Sequence, residues 1–315
     1  WRGLANALLR NVIREEGYKS EKYDLRLNVP NWIYKVWIKQ YGEKDTKKII
    51  NKIFKEPYLD LNIKKDFNYW KNEIKGKEVM KGTLRLQRSG DIKKIKGYKE
   101  GAWWVQNLGA QIPVKLLGKI RNENVLDICA APGGKTAQLL NAGAFVTAVD
   151  VSEKKINKLS INITRLQLEK NLTVLAKDFL KWNNKEKYNK ILLDVPCSAT
   201  GTIRRHPDLP YAKSGVGLNK LFSMQYKMLQ HAVSLMKPNS QLIYCTCSLL
   251  PQEGEHQVHK LLSNFRELRV DKYLPKDLVF LEEYRTHEGG LRLLPNHFAE
   301  TGGTDGFYIA KLVKV

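Results

Sequence analysis

Two short segments of the chain combine an acid with thiols, which suggests nucleophilic chemistry. The segment DVPCSATG, residues 194–201, carries Asp194 and Cys197, and YCTCS, residues 244–248, carries Cys245 and Cys247. Each follows an apolar stretch that predicts a β-strand, so the thiols are expected at neighbouring strand ends. A buried cysteine is usually structural. Two thiols at neighbouring strand ends, beside an aspartate, nevertheless support a nucleophilic site, because cysteine is among the side chains that act as nucleophiles.

A glycine turn lies upstream of these thiols, in the segment VLDICAAPGGKTAQLL, residues 125–140. The pattern predicts a short strand, a tight turn and a helix from about Lys135. Such a turn brings backbone N–H groups and the positive end of a helix dipole close to a ligand. Neither the dinucleotide G-x-G-x-x-G spacing nor the P-loop pattern is present. A turn that needs glycine only for its shape is the alternative explanation.

Acidic residues end the next two predicted strands. Asp150 follows the glycine turn by about 20 residues, where a nucleoside-binding α/β fold places the carboxylate that accepts from ribose hydroxyls. It could instead cap a helix, a role for which Ser152 competes. Asp178 is expected either beside an adenine or in an ordinary turn. Positive side chains suited to phosphate follow the first thiol segment: Arg204, Arg205 and His206.

The elements that position these residues alternate between strand and helix from Val125 onward. Apolar strands are predicted at VLDIC, FVTAVD, TVLAKD, KILLDVP and QLIYCTCS, and amphipathic helices separate most of them. Near-continuously apolar strands of this kind are typical of a parallel sheet covered on both faces. Ligands of such sheets bind at the carboxyl ends of the strands. The acids and thiols are therefore predicted to converge at one edge.

The N-terminal region has a different character. Residues 1–75 are predicted to be mainly helical. An apolar stripe spans LANALLRNVIREE, residues 4–16, a second helix opens after Pro30 and stops at Gly42, and a third spans residues 47–54. Short strands and turns are expected over residues 58–100. Adjacent Trp103 and Trp104 precede another helix ending near residue 118, and are predicted to be core anchors rather than a base-stacking platform.

Composition narrows the class of protein. The 315 residues include 54 Lys and Arg against 32 Asp and Glu, a net charge of +22. This excess favours a polyanionic partner such as nucleic acid, although a lysine-rich composition can also reflect genomic base bias. Four cysteines are too few for a disulfide scaffold, and no zinc spacing is present. We expect reduced thiols, no metal, no membrane span and a cytoplasmic location. The chain starts without methionine, so we expect a fragment.

Three segments resemble the defining motifs of the Sun/Fmu-type RNA cytosine-5 methyltransferases. They are DICAAPGGKT, LLDVPCSATGTIRRHPD and LIYCTCSLLPQEGE. The similarity extends from about Lys77 to the end, where GGTDGFYIAKL is similar to the family's closing strand. Residues 1–50 more weakly resemble the last helices of a NusB-like RNA-binding domain. The resemblance implies a helical remnant over residues 1–56, a small α+β region over 57–118, and a catalytic domain over 119–315.

The resemblance also implies an α/β, Rossmann-like fold, the cofactor S-adenosyl-L-methionine, and roles for individual residues. Asp150 would hold the ribose, Asp178 the adenine side, and Asp194 the space between cofactor and target base. Cys247 would be the nucleophile and Cys197 would assist product release. The cofactor loop would comprise Cys129, Ala130, Ala131, Pro132, Gly133, Gly134 and Lys135.

One thiol competes with Cys247 for the role of nucleophile, and two positions differ from the family's usual pattern. Cys245 lies two residues before Cys247, so strand alternation puts both thiols on one face, and only motif register excludes Cys245 as the nucleophile. Asn107 stands where the family usually has an acid, and Gly254 where it often has asparagine.

The function implied is methylation of cytosine C5 in RNA, most simply 16S ribosomal RNA, with Arg204, Arg205 and His206 contacting the RNA. The same chemistry on tRNA remains an alternative, as does a non-catalytic RNA-binding or ribosome assembly factor that keeps the fold. An NAD-dependent oxidoreductase has the wrong glycine spacing and leaves both thiols unexplained.

Overall fold

The computed structural model describes residues 1–15, 24–87, 90–212 and 217–315. Two helices open the chain, α1 (Arg2–Arg14) and α2 (Asn31–Asn51). Pro30 precedes α2, and Gly42 interrupts it with a φ of 74°, at the predicted stop. No residue of α1 is buried against the described part of the chain. The predicted end of the first helix, Glu16, lies outside the described residues.

Helix α2 packs onto loops that belong to the catalytic half of the chain. Its side chains Ile33 and Trp37 share a core with Ile203 and Leu249, which neighbour the two thiol segments. The hydroxyl of Tyr41 donates to the carbonyl of Leu249 at 2.7 Å. The N-terminal segment therefore supports the thiol loops. Its relation to a NusB-like domain stays a prediction.

A four-stranded antiparallel sheet follows, in the order β2-β3-β1-β4. Helix α3 (Phe67–Ile74) connects β1 to β2. Both tryptophans of β4 are buried, Trp103 completely and Trp104 at 4% exposure, which confirms them as core anchors. The strands are β1 (Leu59–Ile63), β2 (Lys77–Met80), β3 (Thr83–Leu86) and β4 (Trp103–Val105).

The larger sheet has eight strands and confirms the predicted α/β class. Five parallel strands stand in the order β7-β6-β5-β8-β9, and β12 joins β9 antiparallel. Strands β10 and β11 both pair with β12. The strands are β5 (Asn124–Ile128), β6 (Phe145–Asp150), β7 (Leu172–Ala176), β8 (Tyr188–Asp194), β9 (Met236–Thr246), β10 (Leu268–Val270), β11 (Leu291–Leu293) and β12 (Phe307–Lys314).

Helices cover both faces of this sheet, because side chains of successive strand residues point to opposite faces. In β5, Val125 packs in the core beneath α4 to α6, whereas Leu126 packs in the core beneath α8 and α9. Helix α4 thus packs on the large sheet, and the division into three domains stays a prediction. The helices are α4 (Leu108–Leu116), α5 (Gly134–Asn141), α6 (Glu153–Arg165), α7 (Leu209–Ala212), α8 (Leu218–Ser234) and α9 (Glu255–Asn264).

Within the described ranges, no helix is both long and apolar enough to cross a membrane.

Candidate active site

The two predicted thiols meet at the carboxyl edge of the large sheet. Cys197 Sγ lies 3.3 Å from Cys247 Sγ. Strands β8 and β9 pair in parallel with Asp194 beside Cys245, so the loops that follow them start side by side. The amide of Gly201 donates to the carbonyl of Cys247 at 2.8 Å and ties the second loop to the first. Parallel pairing therefore explains how thiols 50 residues apart come into contact.

Contact between the thiols makes them unequal acids. The hydrogen bond from Cys247 lowers the pKa of Cys197, because it stabilises the Cys197 thiolate. The same hydrogen bond raises the pKa of Cys247, and burial adds to this rise. The Lys135 ammonium acts on Cys247 in the opposite direction and favours its ionisation. Cys197 is thus the more readily ionised thiol of the pair, a property that motif register does not reveal.

The competing thiol, Cys245, lies in a different environment. Its side chain is completely buried, and its Sγ lies 3.5 Å from Asp194 Oδ1, which accepts the S–H. Burial raises the pKa of Cys245 well above its usual value, and the charge of Asp194 raises it further. Cys247 is partly exposed and lines the cavity beside the glycine turn, whereas Cys245 is not among the residues that line it. Accessibility therefore favours Cys247 over Cys245 on grounds independent of motif register.

Lys135 and Asp194 form an ion pair at the floor of the site, with Nζ 2.7 Å from Oδ2. The lysine side chain is only 11% exposed, and its Nζ lies 5.4 Å from the centre of the Phe307 ring. Burial alone would lower the pKa of Lys135, but the Asp194 carboxylate outweighs burial and raises it. Lys135 is therefore a fixed positive charge beside the thiols.

A further acid, Asp127 in β5, was given no role from the sequence. Its side chain is completely buried. Oδ2 accepts the Thr136 hydroxyl at 2.7 Å, whereas Oδ1 has no hydrogen-bond partner among the residues that the structure describes. Burial raises the pKa of Asp127 to about 7. The available signal was an acid within an otherwise apolar strand that leads directly into the glycine turn.

The glycine turn has a shape that only glycine permits at one position. Gly133 has a φ of 102°, and a Cβ there would lie 2.9 Å from Leu159 Cγ on α6. The amides of Cys129 and Ala130 both donate to the Val149 carbonyl, at 2.8 and 3.2 Å. These bonds hold the turn against the end of β6.

Asp150 contributes to the same turn. Its Oδ2 accepts from the Ala131 amide at 3.3 Å and its Oδ1 from the Ser152 amide at 3.0 Å. Ser152, the predicted competitor, is the residue that caps α6, since its side chain accepts from the Lys155 amide. Asp178 lies two residues beyond β7, and its Oδ1 accepts from the Leu180 amide at 3.1 Å. The ribose and adenine roles of these two acids stay predictions.

A cavity of about 300 Å³ separates the glycine turn from the thiols. Asp127, Lys135 and Asp194 are among the residues that line it. Acids and an ammonium around one small cavity suit the amino-acid end of S-adenosyl-L-methionine, which carries both an ammonium and a carboxylate. The lining residues are Val105, Gln106, Asn107, Ala110, Asp127, Cys129, Ala130, Ala131, Pro132, Gly134, Lys135, Asp194, Thr202, Arg205, Cys247 and Phe307.

The three predicted RNA-contacting residues occupy different environments. Arg204 is 5% exposed, and its guanidinium donates to the carbonyls of Gly302 and Thr304 at 2.8 and 3.2 Å. It therefore supports the chain internally and does not present its charge to a phosphate. Arg205 is half-exposed at the cavity mouth, where its Nη2 pairs with Asp305 at 2.5 Å. The neighbouring His206 is exposed.

Asn107, at the position where the family usually has an acid, acts as a local anchor. Its Oδ1 accepts from the Gly109 amide, the Thr304 hydroxyl and the Asp305 amide at 3.0 to 3.1 Å. It thereby caps α4 and holds the loop that precedes β12.

No group of three or more His, Cys, Asp or Glu residues in the described part of the chain is arranged to hold a metal ion.

Comparison with known proteins gives concordant results. A family model described as 16S rRNA methyltransferase RsmB/F matches residues 114–313. The Ribosomal RNA small subunit methyltransferase B of Pasteurella multocida is 33% identical over 338 residues, which covers 100% of this chain and 72% of the relative. The protein of the same name from Cronobacter sakazakii is 36% identical over 235 residues, covering 74% of this chain and 52% of the relative.

Solved structures agree on the fold. The crystal structure of PH0851 superimposes with a TM-score of 0.83 at 23% identity and covers 95% of this chain and 71% of that protein. A methyltransferase homolog protein from Pyrococcus horikoshii superimposes with a TM-score of 0.75, also at 23% identity, over 92% of this chain and 97% of that protein.

Proposed function

Because the chain belongs to the RsmB/F family of 16S rRNA methyltransferases, we propose that it methylates C5 of a cytosine in 16S rRNA through a covalent bond to Cys247. At the level of the family, the chain is an S-adenosyl-L-methionine-dependent rRNA methyltransferase. The target atom, the covalent step and the 16S substrate are the proposal, as is the cytoplasmic location. The 3.3 Å contact between Cys197 and Cys247 is the observation that supports it most strongly.

The cofactor, when bound, supplies an electrophilic methyl group on a sulfonium. The glycine turn and Asp127 are the groups of this chain that would hold its amino-acid end. The unpartnered Oδ1 of Asp127 is an acceptor without a donor, and an ammonium would satisfy it. Gly133 keeps the turn against α6. Asp150 and Asp178 are proposed for the ribose and the adenine.

The thiols supply the reactivity that cytosine lacks. C5 of cytosine is a weak nucleophile, and attack of a thiolate on C6 saturates the ring and shifts electron density to C5. Cys247 directly follows β9 and borders the cavity beside Lys135. The Lys135 ammonium favours ionisation of Cys247. Held by Asp194, the ammonium is also placed to offset negative charge that develops on the base.

The number of protons on the two thiols is the same before and after one catalytic cycle, which starts with a single proton on the pair. Cys197, the stronger acid of the pair, starts as the thiolate and accepts the proton of Cys247 as the Cys247 sulfur attacks C6. Cys197 then loses this proton to solvent. The Cys197 thiolate next takes the proton from C5, and the electrons of that C–H bond re-form the ring double bond as Cys247 leaves as a thiolate. One proton is released per methyl group, and the pair again holds one proton. Cys197 is therefore the base of the release step.

The target base must leave its stack to reach Cys247, since the thiol lies within a cavity at the sheet edge. Arg205 at the cavity mouth is the candidate contact to the target phosphate.

Substitution of each thiol tests the mechanism. Cys247→Ala should abolish 5-methylcytosine and form no adduct, whereas Cys197→Ala should accumulate a protein–RNA adduct that survives denaturing electrophoresis. Cys245→Ala is the matched control, because it removes a neighbouring thiol outside the pair. Full methylation by Cys247→Ala would refute the covalent step.

The substrate requires a separate measurement. Mapping 5-methylcytosine in ribosomal RNA from cells with and without this protein should reveal a 16S site that depends on it. Loss of a tRNA site instead would assign the same chemistry to tRNA. A purified chain that does not bind S-adenosyl-L-methionine would favour the non-catalytic assembly factor.

A further inference from the structure

The two thiols are held by different means. Cys247 directly follows β9, whose ladder pairs it with two neighbouring strands, and its carbonyl accepts from the Gly201 amide. Cys197 lies in an irregular loop between the end of β8 and the short 3₁₀ turn that starts at Thr200. The loop has no strand partner along residues 196–199 in the described structure. Its position therefore depends on side-chain contacts along these residues, together with the backbone bonds that Gly201 makes where the loop ends.

Glu253 provides two of those contacts, both to Ser198, and a third to the second thiol loop. Its side chain is completely buried. Oε1 accepts from the Ser198 amide at 2.8 Å and from Gln225 Nε2 at 2.9 Å. Oε2 accepts from the Ser198 hydroxyl at 2.5 Å and from the Ser248 hydroxyl. One carboxylate thus joins the residue that follows Cys197 to the residue that follows Cys247.

Glu253 is itself rigidly placed. It ends the 3₁₀ turn Pro251–Glu253, immediately before α9. Its backbone carbonyl accepts the Tyr244 hydroxyl at 2.6 Å, and Tyr244 is completely buried in β9. The carboxylate is therefore fixed relative to β9, the strand that Cys247 directly follows.

From these contacts we propose that Glu253 is a positioning residue that holds Cys197 within reach of Cys247, and so controls release of the methylated base. The proposal rests on the proposed function. Two of the four donors to the carboxylate belong to Ser198, and a third, Gln225, also donates to the carbonyl of Pro196 at 2.8 Å. Loss of Glu253 would remove two of the bonds that hold the Cys197 loop, both at Ser198, whereas the sheet would still hold Cys247.

The expected consequence is a slow release step with a less affected first step. A displacement of about 1 Å can slow a positioned reaction on the order of 100-fold. We expect Glu253→Ala to slow adduct release about 10- to 100-fold and to accumulate the same protein–RNA adduct as Cys197→Ala.

Glu253→Gln separates geometry from charge. The amide oxygen can replace Oε1, whose two partners, the Ser198 amide and Gln225 Nε2, can only donate a hydrogen bond. The amide NH₂ can replace Oε2, because the hydroxyls of Ser198 and Ser248 can rotate and accept. The network therefore survives without its charge, and we expect release close to that of the unmodified protein.

The experiment measures adduct formation and release in single turnover, with full-length protein, S-adenosyl-L-methionine and a 16S rRNA transcript. Asp60→Ala is the control for loss of a buried, multiply bonded carboxylate, since Asp60 pairs with Arg85 in the small sheet at 2.6 Å. It should lower the melting temperature without accumulating adduct.

The outcomes distinguish the two hypotheses. If Cys197→Ala accumulates adduct and Glu253→Ala does not, the positioning role is wrong and the proposed function stands. If Cys197→Ala forms no adduct, the release mechanism itself is wrong. If Glu253→Gln accumulates as much adduct as Glu253→Ala, charge rather than position is responsible, which overturns the positioning role. Equal accumulation by Asp60→Ala would also overturn it, because instability alone would then explain the effect.

Discussion

Replacing Asp127 by asparagine should stabilise the protein at alkaline pH and weaken its hold on the cofactor. Burial raises the pKa of Asp127 from its ordinary 3.8 to about 7. Between these values the folded protein keeps a proton that the unfolded chain has lost, so stability falls as pH rises, and the loss is complete above about pH 7. Asparagine has no such proton, and the variant should lack this part of the pH dependence.

The magnitude follows from the size of the shift. Each pKa unit corresponds to about 1.4 kcal/mol. Between about pH 5 and pH 8.5, the unmodified protein passes through the upper two units of the interval between the two pKa values of Asp127. Its free energy of unfolding should therefore fall by about 3 kcal/mol relative to that of Asp127→Asn. For a chain of this size that is on the order of 5 °C in melting temperature. The quantity to compare is the difference between variant and unmodified protein at each pH, because other titrating groups cancel in that difference.

The cofactor should respond in the opposite direction. A charge-assisted hydrogen bond to an ammonium contributes about 1.5–3 kcal/mol, so its loss should raise the dissociation constant of S-adenosyl-L-methionine roughly 10- to 100-fold. Isothermal titration calorimetry measures this constant. The Thr136 hydroxyl can still donate to the asparagine carbonyl, so the strand should keep its local contact.

Two results would contradict the reasoning about Asp127. A stability difference that is the same at both pH values would mean that Asp127 is ionised in the folded protein at acidic pH. An unchanged cofactor affinity would mean that its unpartnered oxygen does not face the bound ammonium.

Three further substitutions test other parts of the site. Lys135→Met should lower the free energy of unfolding by about 2–4 kcal/mol, less than for a fully buried pair because Asp194 is 30% exposed; the added change Asp194→Asn should restore part of it in urea titrations. Cys245→Ala should retain most 5-methylcytosine formation measured by mass spectrometry, unlike any variant that removes Cys247. Arg205→Ala should weaken binding of the 16S transcript and reduce the slope of log K against log salt by about 1, without changing cofactor affinity.

The strand and helix order of the catalytic half could be predicted from sequence, because a parallel sheet covered on both faces leaves a strong pattern. Five apolar strands separated by amphipathic helices define a carboxyl edge, and Cys197 and Cys247 follow two of those strands. The structure places these residues together because β8 and β9 are neighbours. Strand order is not itself a local sequence property, so the contact was implied by the resemblance and by the fold class.

What sequence could not predict depends on contacts between distant segments. Arg204 and Arg205 are adjacent in a basic run, yet only the second is exposed at the cavity mouth, since the loop before β12 supplies carbonyls that bury the first. The sequence also does not reveal that Lys135 pairs with Asp194, because the two residues are 59 positions apart. Burial of Asp127 has the same origin, since its environment is set by helices packed over β5.

The lysine after the glycine pair lacks the spacing of a phosphate-gripping P-loop lysine. In the structure, the Lys135 ammonium contacts Asp194 at 2.7 Å. Its charge is therefore committed to the reacting edge of the site, where it favours ionisation of Cys247.

A single close approach explains why three motifs far apart in the chain must act together. A Cβ on Gly201 would lie 2.2 Å from the carbonyl oxygen of Gly306 and 2.7 Å from that of Cys247. The Gly306 amide donates to the Gly201 carbonyl at 2.8 Å, just as the Gly201 amide donates to Cys247. The first thiol loop is thus wedged between the second thiol loop and the start of β12. Since the start of β12 and the Cys247 carbonyl both bond to Gly201, the closing motif helps to fix the point where the Cys197 loop ends.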